Sequence, residues 1–131
     1  MNILNIENLK THFFTEAGVV KAVDDISFSV MKGSTLGLVG ESGSGKSVTT
    51  QSVLRIVPKP GKIVSGKILF EDEDLLMKTE KEMLKFRGRK ISLIFQDPTT
   101  SLNPLFTIGD QLADIVIEHN KLKKSDALEH V

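Results

Sequence analysis

The chain has 131 residues, with 17 Lys plus Arg against 17 Asp plus Glu and no cysteine. That length can form one domain with a respectable core, and the zero net charge gives no sign of a general affinity for nucleic acid or anionic membrane. The missing thiols exclude disulfides and thiolate metal sites and fit a reducing compartment.

The N-terminus, Met1 to Glu7, has neither a basic n-region nor an apolar h-region, so no signal peptide is expected there. No apolar run approaches the length of a membrane span, and the expected setting is a soluble chain in the cytosol. Ile3, Leu4, Ile6 and Leu9 predict a first strand. Val19 to Val30 alternates, with Val20, Ala22, Ile26, Phe28 and Val30 apolar, and Asp24-Asp25 reads as a turn between two strands. Lys32-Gly33 is a second turn. It leads into Leu36-Gly37-Leu38-Val39, a short run readable as a buried strand.

Gly40-Glu41-Ser42-Gly43-Ser44-Gly45-Lys46-Ser47 comes next and fits the phosphate-binding pattern G-x-x-x-x-G-K-[ST]. Glycines at 40, 43 and 45 let the chain take φ > 0 and curl closely around an anion. Successive N–H groups then form a nest, and the following helix brings its unpaired donors and partial positive charge to the same point. In that pattern Lys46 reaches the β- and γ-phosphates and the Ser47 hydroxyl ligates Mg²⁺. The bland alternative is a flexible Gly/Ser linker, but the loop stands between an apolar run and an amphipathic segment. That segment, Ser47 to Val57, predicts a helix stopped by Pro58.

Pro58-Lys59-Pro60-Gly61 is a strong breaker. Ile63-Val64 and Ile68-Leu69-Phe70 flank Ser65-Gly66 and read as a pair of short strands. Thr79-Glu80-Lys81-Glu82 is a capping box opening a helix that ends at Gly88. Ile91 to Phe95 is a buried-strand candidate. Pro98 and Pro104 bracket a polar loop, and Thr107 to Asp110 repeats the cap before a helix carrying Leu112, Ile115 and Val116. Ser125 reads as the N-cap of a further short helix that is marginal without packing. An end of that kind gives the expectation of a truncated chain.

Several features have bland readings. Ile68 to Asp72 imitates a strand ending in metal-holding acids, but Glu71-Asp72-Glu73-Asp74 reads as a solvated strand end. His12, His119 and His130 lack metal-ligand spacing and are expected at the surface. Arg87, Arg89 and Lys90 lack interleaved aromatics and read as a solvated face rather than a nucleic-acid patch.

The order of an N-terminal β region, GESGSGKS and the string FQDPTTSLNPLFTIGDQ from Phe95 to Gln111 resembles one family closely. It is similar to the ATP-binding subunits of ABC transporters, of the oligopeptide/dipeptide (and nickel) importer group, over essentially the whole chain. The resemblance implies an α/β fold, the N-terminal part of an ABC-type P-loop NTPase domain, with an antiparallel β region beside an incomplete RecA-like core. It implies one truncated nucleotide-binding domain over 1–131, with Walker A at Gly40–Ser47 and the Q-loop glutamine at Gln96. Gln96 would sense Mg²⁺ and the attacking water, since its amide offers both a carbonyl ligand and a donor. Phe13, in preference to Phe14, would stack on adenine. Both also have a reading as ordinary core. Val48, at the edge of the cofactor site, stands where many relatives carry Thr, which removes a hydroxyl expected near the α-phosphate.

The same resemblance implies ATP and Mg²⁺ as cofactors. As partners it implies two permease subunits, a second ATP-binding subunit and, indirectly, an external substrate-binding protein, with no nucleic acid. The location would be the cytoplasmic side, peripheral on the inner face of the cell membrane. The family's LSGGQ signature, Walker B acids and switch His do not occur in these residues. The family hydrolyses ATP, but this chain is expected to bind nucleotide weakly without turnover. The alternatives are a small P-loop kinase or GTPase, in which Asp97 supports Mg²⁺, and a non-catalytic nucleotide-binding module.

Overall fold

A computed structural model of the protein describes residues 1–97, 101–120 and 123–129. Two compact units divide the chain, Met1–Leu84 and Lys85–Val131.

The first unit is built on a four-stranded, wholly antiparallel sheet. Its strands are β1 (Asn2–Thr15), β2 (Gly18–Met31), β3 (Gly61–Phe70) and β4 (Glu73–Asp74), in the order β2-β1-β3-β4. Helix α1 (Lys46–Val53) lies between β2 and β3 in sequence, and a 3-10 turn (Leu75–Met77) precedes α2 (Glu80–Phe86). Ile6, Leu9, Ile68, Leu75 and Met83 are fully enclosed.

Two expected turns are bulges inside continuous strands. Asp25 has φ 66 and Gly66 has φ 110, and Asn8 on the intervening strand has φ 47. The register of β1 shifts against both neighbours at this level. Asn8 ties the kink together, its backbone N–H donating to Ser27 Oγ at 2.8 Å and its Nδ2 to Asp25 Oδ1 at 3.0 Å. A Cβ on Gly66 would lie 2.6 Å from Leu9 Cα and 2.8 Å from Asn8 O, so only glycine admits so close an approach. The bulge also resets the alternation of side chains. Ile6 and Leu9 are three residues apart, yet both are buried. Asp24-Asp25 and Ser65-Gly66 therefore do not separate pairs of short strands, as their composition predicts.

Glu71 (φ 50) and Asp72 (φ 65) form the tight turn from β3 to β4 and are exposed, in keeping with a solvated strand end. The capping box forms: Thr79 N and Oγ1 both donate to Glu82 Oε2 at 2.7 Å, and Glu82 N returns to Thr79 Oγ1 at 3.3 Å. Helix α1 is shorter than predicted. It closes on Leu54 rather than running to Pro58, because Arg55 turns to φ 54 and donates from its guanidinium to the carbonyls of Leu75 and Lys78.

The predicted strand Leu36 to Val39 has no ladder partner among the described residues, and Leu36, Leu38 and Val39 are exposed. A central strand exists only where neighbours supply its hydrogen bonds.

In the second unit, α2 ends at Phe86 and Gly88 (φ 80) turns the chain, with Gly88 N donating to Ile91 O at 2.9 Å. Of the predicted strand Ile91 to Phe95, only Ile91 makes a bridge among the described residues, to Arg87, and Ile94 is 95% exposed. The reason is again that the described residues hold no flanking strand for it. Helix α3 (Ile108–Asn120) is capped by Thr107 Oγ1, which accepts from Asp110 N at 3.1 Å. Helix α4 (Lys124–Glu129) opens one residue before the expected cap Ser125. Ala113 and Ala127 are fully buried. Residues 98–100 of the polar loop and His130 lie outside the described residues. The Lys90 ammonium sits 5.3 Å from the Phe86 ring centre, one cation–aromatic contact in the stretch read as a solvated face.

Candidate functional site

The loop between β2 and α1 is positioned from below by the sheet. At the Thr11/His12 level the register of β2 slips by one residue, so that Thr11 faces Val23 and His12 faces Lys21, leaving Ala22 bulged. Gly45, the N-cap of α1, rests over this bulge in the left-handed conformation (φ 88, ψ 3). A Cβ there would lie 2.1 Å from Ala22 O. Gly45 is thus required twice, by its dihedrals and by the carbonyl beneath it.

Gly43 (φ 81) has open space where a Cβ would be, whereas at Gly40 a Cβ would meet Ser44 Oγ at 2.6 Å. Ser44 N closes the loop on Glu41 O at 3.2 Å. Glu41 and Ser42 are exposed. The first amide to bond back along α1 is that of Thr49, to Gly45 O at 2.8 Å. The amides of Lys46, Ser47 and Val48 precede it on the first turn, where a helix has no carbonyls of its own to offer.

Lys46 puts its charge in the middle of this loop. Nζ donates to Gly40 O and Glu41 O, both at 2.6 Å, and to Ser44 Oγ at 3.2 Å. An ammonium has three donors, so a phosphate oxygen reaching it replaces an existing partner. Ser47 is exposed, and its hydroxyl makes no hydrogen bond among the described residues, leaving both lone pairs available to a cation. Thr49 is buried and its hydroxyl donates to Gly45 O at 2.9 Å, so it does not supply the hydroxyl absent at Val48. The donor set fits an anionic polyphosphate with a hard, oxygen-seeking cation beside it.

Phe13 is half-buried, and its ring lies against Gly61, where a Cβ would come within 2.8 Å of Phe13 Cε1 and 2.6 Å of Val57 Cγ1. Phe14 is 45% exposed with the Lys62 ammonium 5.7 Å from its ring centre. His12 is a correction to its expected surface position, since its side chain is 12% exposed and Nε2 is buried without a hydrogen-bond partner, 3.7 Å from Asp24 Oδ1. It sits between β2 and β3 on the middle strand, which the sequence pattern does not reveal. Desolvation pushes the Asp24 carboxyl up, but Lys21 at 3.4 Å, with Lys10 and His12 behind it, outweighs this and holds it below the ordinary carboxylate value. Gln96 and Asp97 are exposed residues of the second unit. No group of three or more His, Asp or Glu suited to a metal occurs among the described residues. Neither does a helix long and apolar enough to cross a membrane.

Sequence reasoning missed Thr11, Ala22 and Ser52. Thr11 and Ser52 are fully buried, with their hydroxyl oxygens 2.9 Å apart, and join β1 to α1. A lone Thr in a strand and a lone Ser in a helix carry no signal of this kind.

The profile of the family described as ABC transporter matches residues 23–131. The oligopeptide transport ATP-binding protein AppD of Bacillus subtilis (strain 168) is 48% identical over 126 residues, covering 95% of this chain and 38% of the relative. The dipeptide transport ATP-binding protein DppD of the same organism is 46% identical over 130 residues, covering 98% and 39%. The chain therefore spans less than two-fifths of the length of these relatives. Among solved structures, a dimeric bacterial ABC transporter cassette superposes with a TM-score of 0.80 at 19% identity, over 96% of this chain and 53% of that one. The ADP conformation of another ABC transporter cassette superposes with a TM-score of 0.59 at 25% identity, over all of this chain and 46% of that one. The fold is thus the N-terminal part of an ABC cassette, and the chain belongs to the ABC transporter family.

Proposed function

We propose that the chain binds the polyphosphate of ATP through residues 40–47 and acts as part of the ATP-binding subunit of a peptide-type ABC importer. The observation that carries this reading is the seating of Gly45 over Ala22 with the Lys46 ammonium at the centre of the loop. Kinship to AppD and DppD supplies the transported class.

The roles follow from position. The amides of Gly40, Glu41, Ser42, Gly43 and Gly45 would surround the β-phosphate, joined by that of Ser44 once it leaves Glu41 O. Those of Lys46, Ser47 and Val48 meet it at the helix end. Lys46 neutralises the β- and γ-phosphates. Ser47 is the residue of the first unit that would hold Mg²⁺, which neutralises phosphate charge when bound, and Gln96 is the Q-loop glutamine of the second unit. Phe13 is the adenine platform. As a whole, residues 1–131 carry the Walker A and Q-loop portion of a nucleotide-binding domain. Its partners are permease subunits and a second ATP-binding subunit, with an external binding protein acting through the permease, at the inner face of the membrane. The family's Walker B acids have no counterpart in residues 1–131.

Titration of the chain and of Lys46→Ala with Mg-ATP tests the reading. Removing a charge-assisted contact is expected to cost about 1.5–3 kcal/mol of binding free energy. Equal affinities would contradict it.

A further inference from the structure

Helix α1 is tied to the sheet by a hydroxyl, that of Ser52, which meets Thr11 of β1. Its buried residues are Thr49, Ser52 and Val53. Ser52 Oγ donates its one proton to Val48 O at 2.7 Å, so the proton in its 2.9 Å contact with Thr11 comes from Thr11. The chain of bonds runs from β1, through Thr11 and Ser52, to a carbonyl on the first turn of α1. Apolar surfaces slide over one another because their attraction has no direction. A hydrogen bond does not permit this: a slip of one residue along α1 is about 1.5 Å, enough to break a bond of 2.9 Å.

This link lies between two places that one nucleotide must reach together. Gly45 rests on Ala22 of β2, and Phe13 pairs with Val20, two residues along the same strand. Phe13 is also two residues beyond Thr11 and so shares its face of β1. We propose that Thr11 is a positioning residue that sets the spacing between the base platform at Phe13 and the phosphate loop. Thr11 touches no nucleotide and acts through Ser52 and α1. The inference rests on the phosphate-loop reading above.

The test compares Mg-ATP with Mg-tripolyphosphate, which offers the phosphates without the base. In the full 131-residue chain, Thr11→Val is expected to weaken Mg-ATP binding about five- to tenfold while changing Mg-tripolyphosphate binding by less than about twofold. Thr11→Ser, which keeps the hydroxyl, is expected to restore the Mg-ATP affinity. Should Thr11→Val fail to fold, the double variant Thr11→Val/Ser52→Ala, which leaves no orphaned hydroxyl, carries the same comparison. Unchanged Mg-ATP affinity, parallel losses for both ligands, or a Thr11→Ser variant as weak as Thr11→Val would each overturn the inference. A wild-type chain that binds no tripolyphosphate would instead remove the phosphate-loop reading beneath it.

Discussion

Gly45 shows how far one residue can constrain a site. Its φ of 88° is costly for any residue with a Cβ, and the space a Cβ would need is held by a backbone carbonyl 2.1 Å away. Gly43, at φ 81°, carries only the first of these penalties, because nothing lies within 4 Å. Gly45→Ala is therefore expected to destabilise the chain by about 2 kcal/mol or more, and Gly43→Ala by about 1 kcal/mol. Urea unfolding of the two variants checks the order, and equal losses would show that Ala22 does not seat the loop. The turn from Gly40 into α1 was legible in sequence, because its glycines, Lys46 and Ser47 are adjacent along the chain. Its seat was not. Ala22 and Thr11 act through a backbone carbonyl and a buried hydroxyl, neither of which a residue name discloses.

At the scale of elements, the two capped helices were readable because a cap is a local contract between residues three apart, as in Thr79 with Glu82 and Thr107 with Asp110. The bulges were misread as turns for a related reason. Asp25 and Gly66 carry the residue types of a turn, since a turn and a bulge both ask for φ > 0, and only the neighbouring strand decides between them. Gly66→Ala forces a Cβ to within 2.6 Å of Leu9 Cα, so it is expected to cost about 2–3 kcal/mol in chemical unfolding, and a loss near zero would contradict the bulge.

The Lys21–Asp24 pair on β2 adds a pH dependence whose sign follows from the depressed carboxyl. Its contribution is present above the unfolded carboxylate pKa and is lost as pH falls through the lower folded value. Asp24→Asn should therefore flatten the acid limb of a stability–pH profile slightly. Because the pair is exposed, the effect is small. An acid limb that steepens in the variant would reverse the assignment.

For the whole molecule, the antiparallel sheet was legible in outline and the core strands were not realised. Leu36 to Val39 and Ile91 to Phe95 have the composition of buried strands, yet Val39 is 93% and Ile94 95% exposed. Composition reports what a segment needs, whereas a parallel core strand also needs partners on either side, and the described residues hold none for these. Among the described residues, the stretch of β3 from Gly61 to Lys67 is likewise unpaired on its outer side, since β4 reaches only Leu69 and Phe70. Bare edges and apolar segments of this kind promote association. Sedimentation across a concentration series should show self-association of the 131-residue chain, and a monomer that melts cooperatively would contradict this.

The most direct measurement of the central claim is a crystal structure of the chain with Mg-ATP. It should show the β-phosphate enclosed by the amides of residues 40–48, Lys46 Nζ released from a loop carbonyl onto a phosphate oxygen, and Ser47 Oγ on the metal. Nucleotide bound away from this loop, with the Lys46 contacts unchanged, would contradict the account.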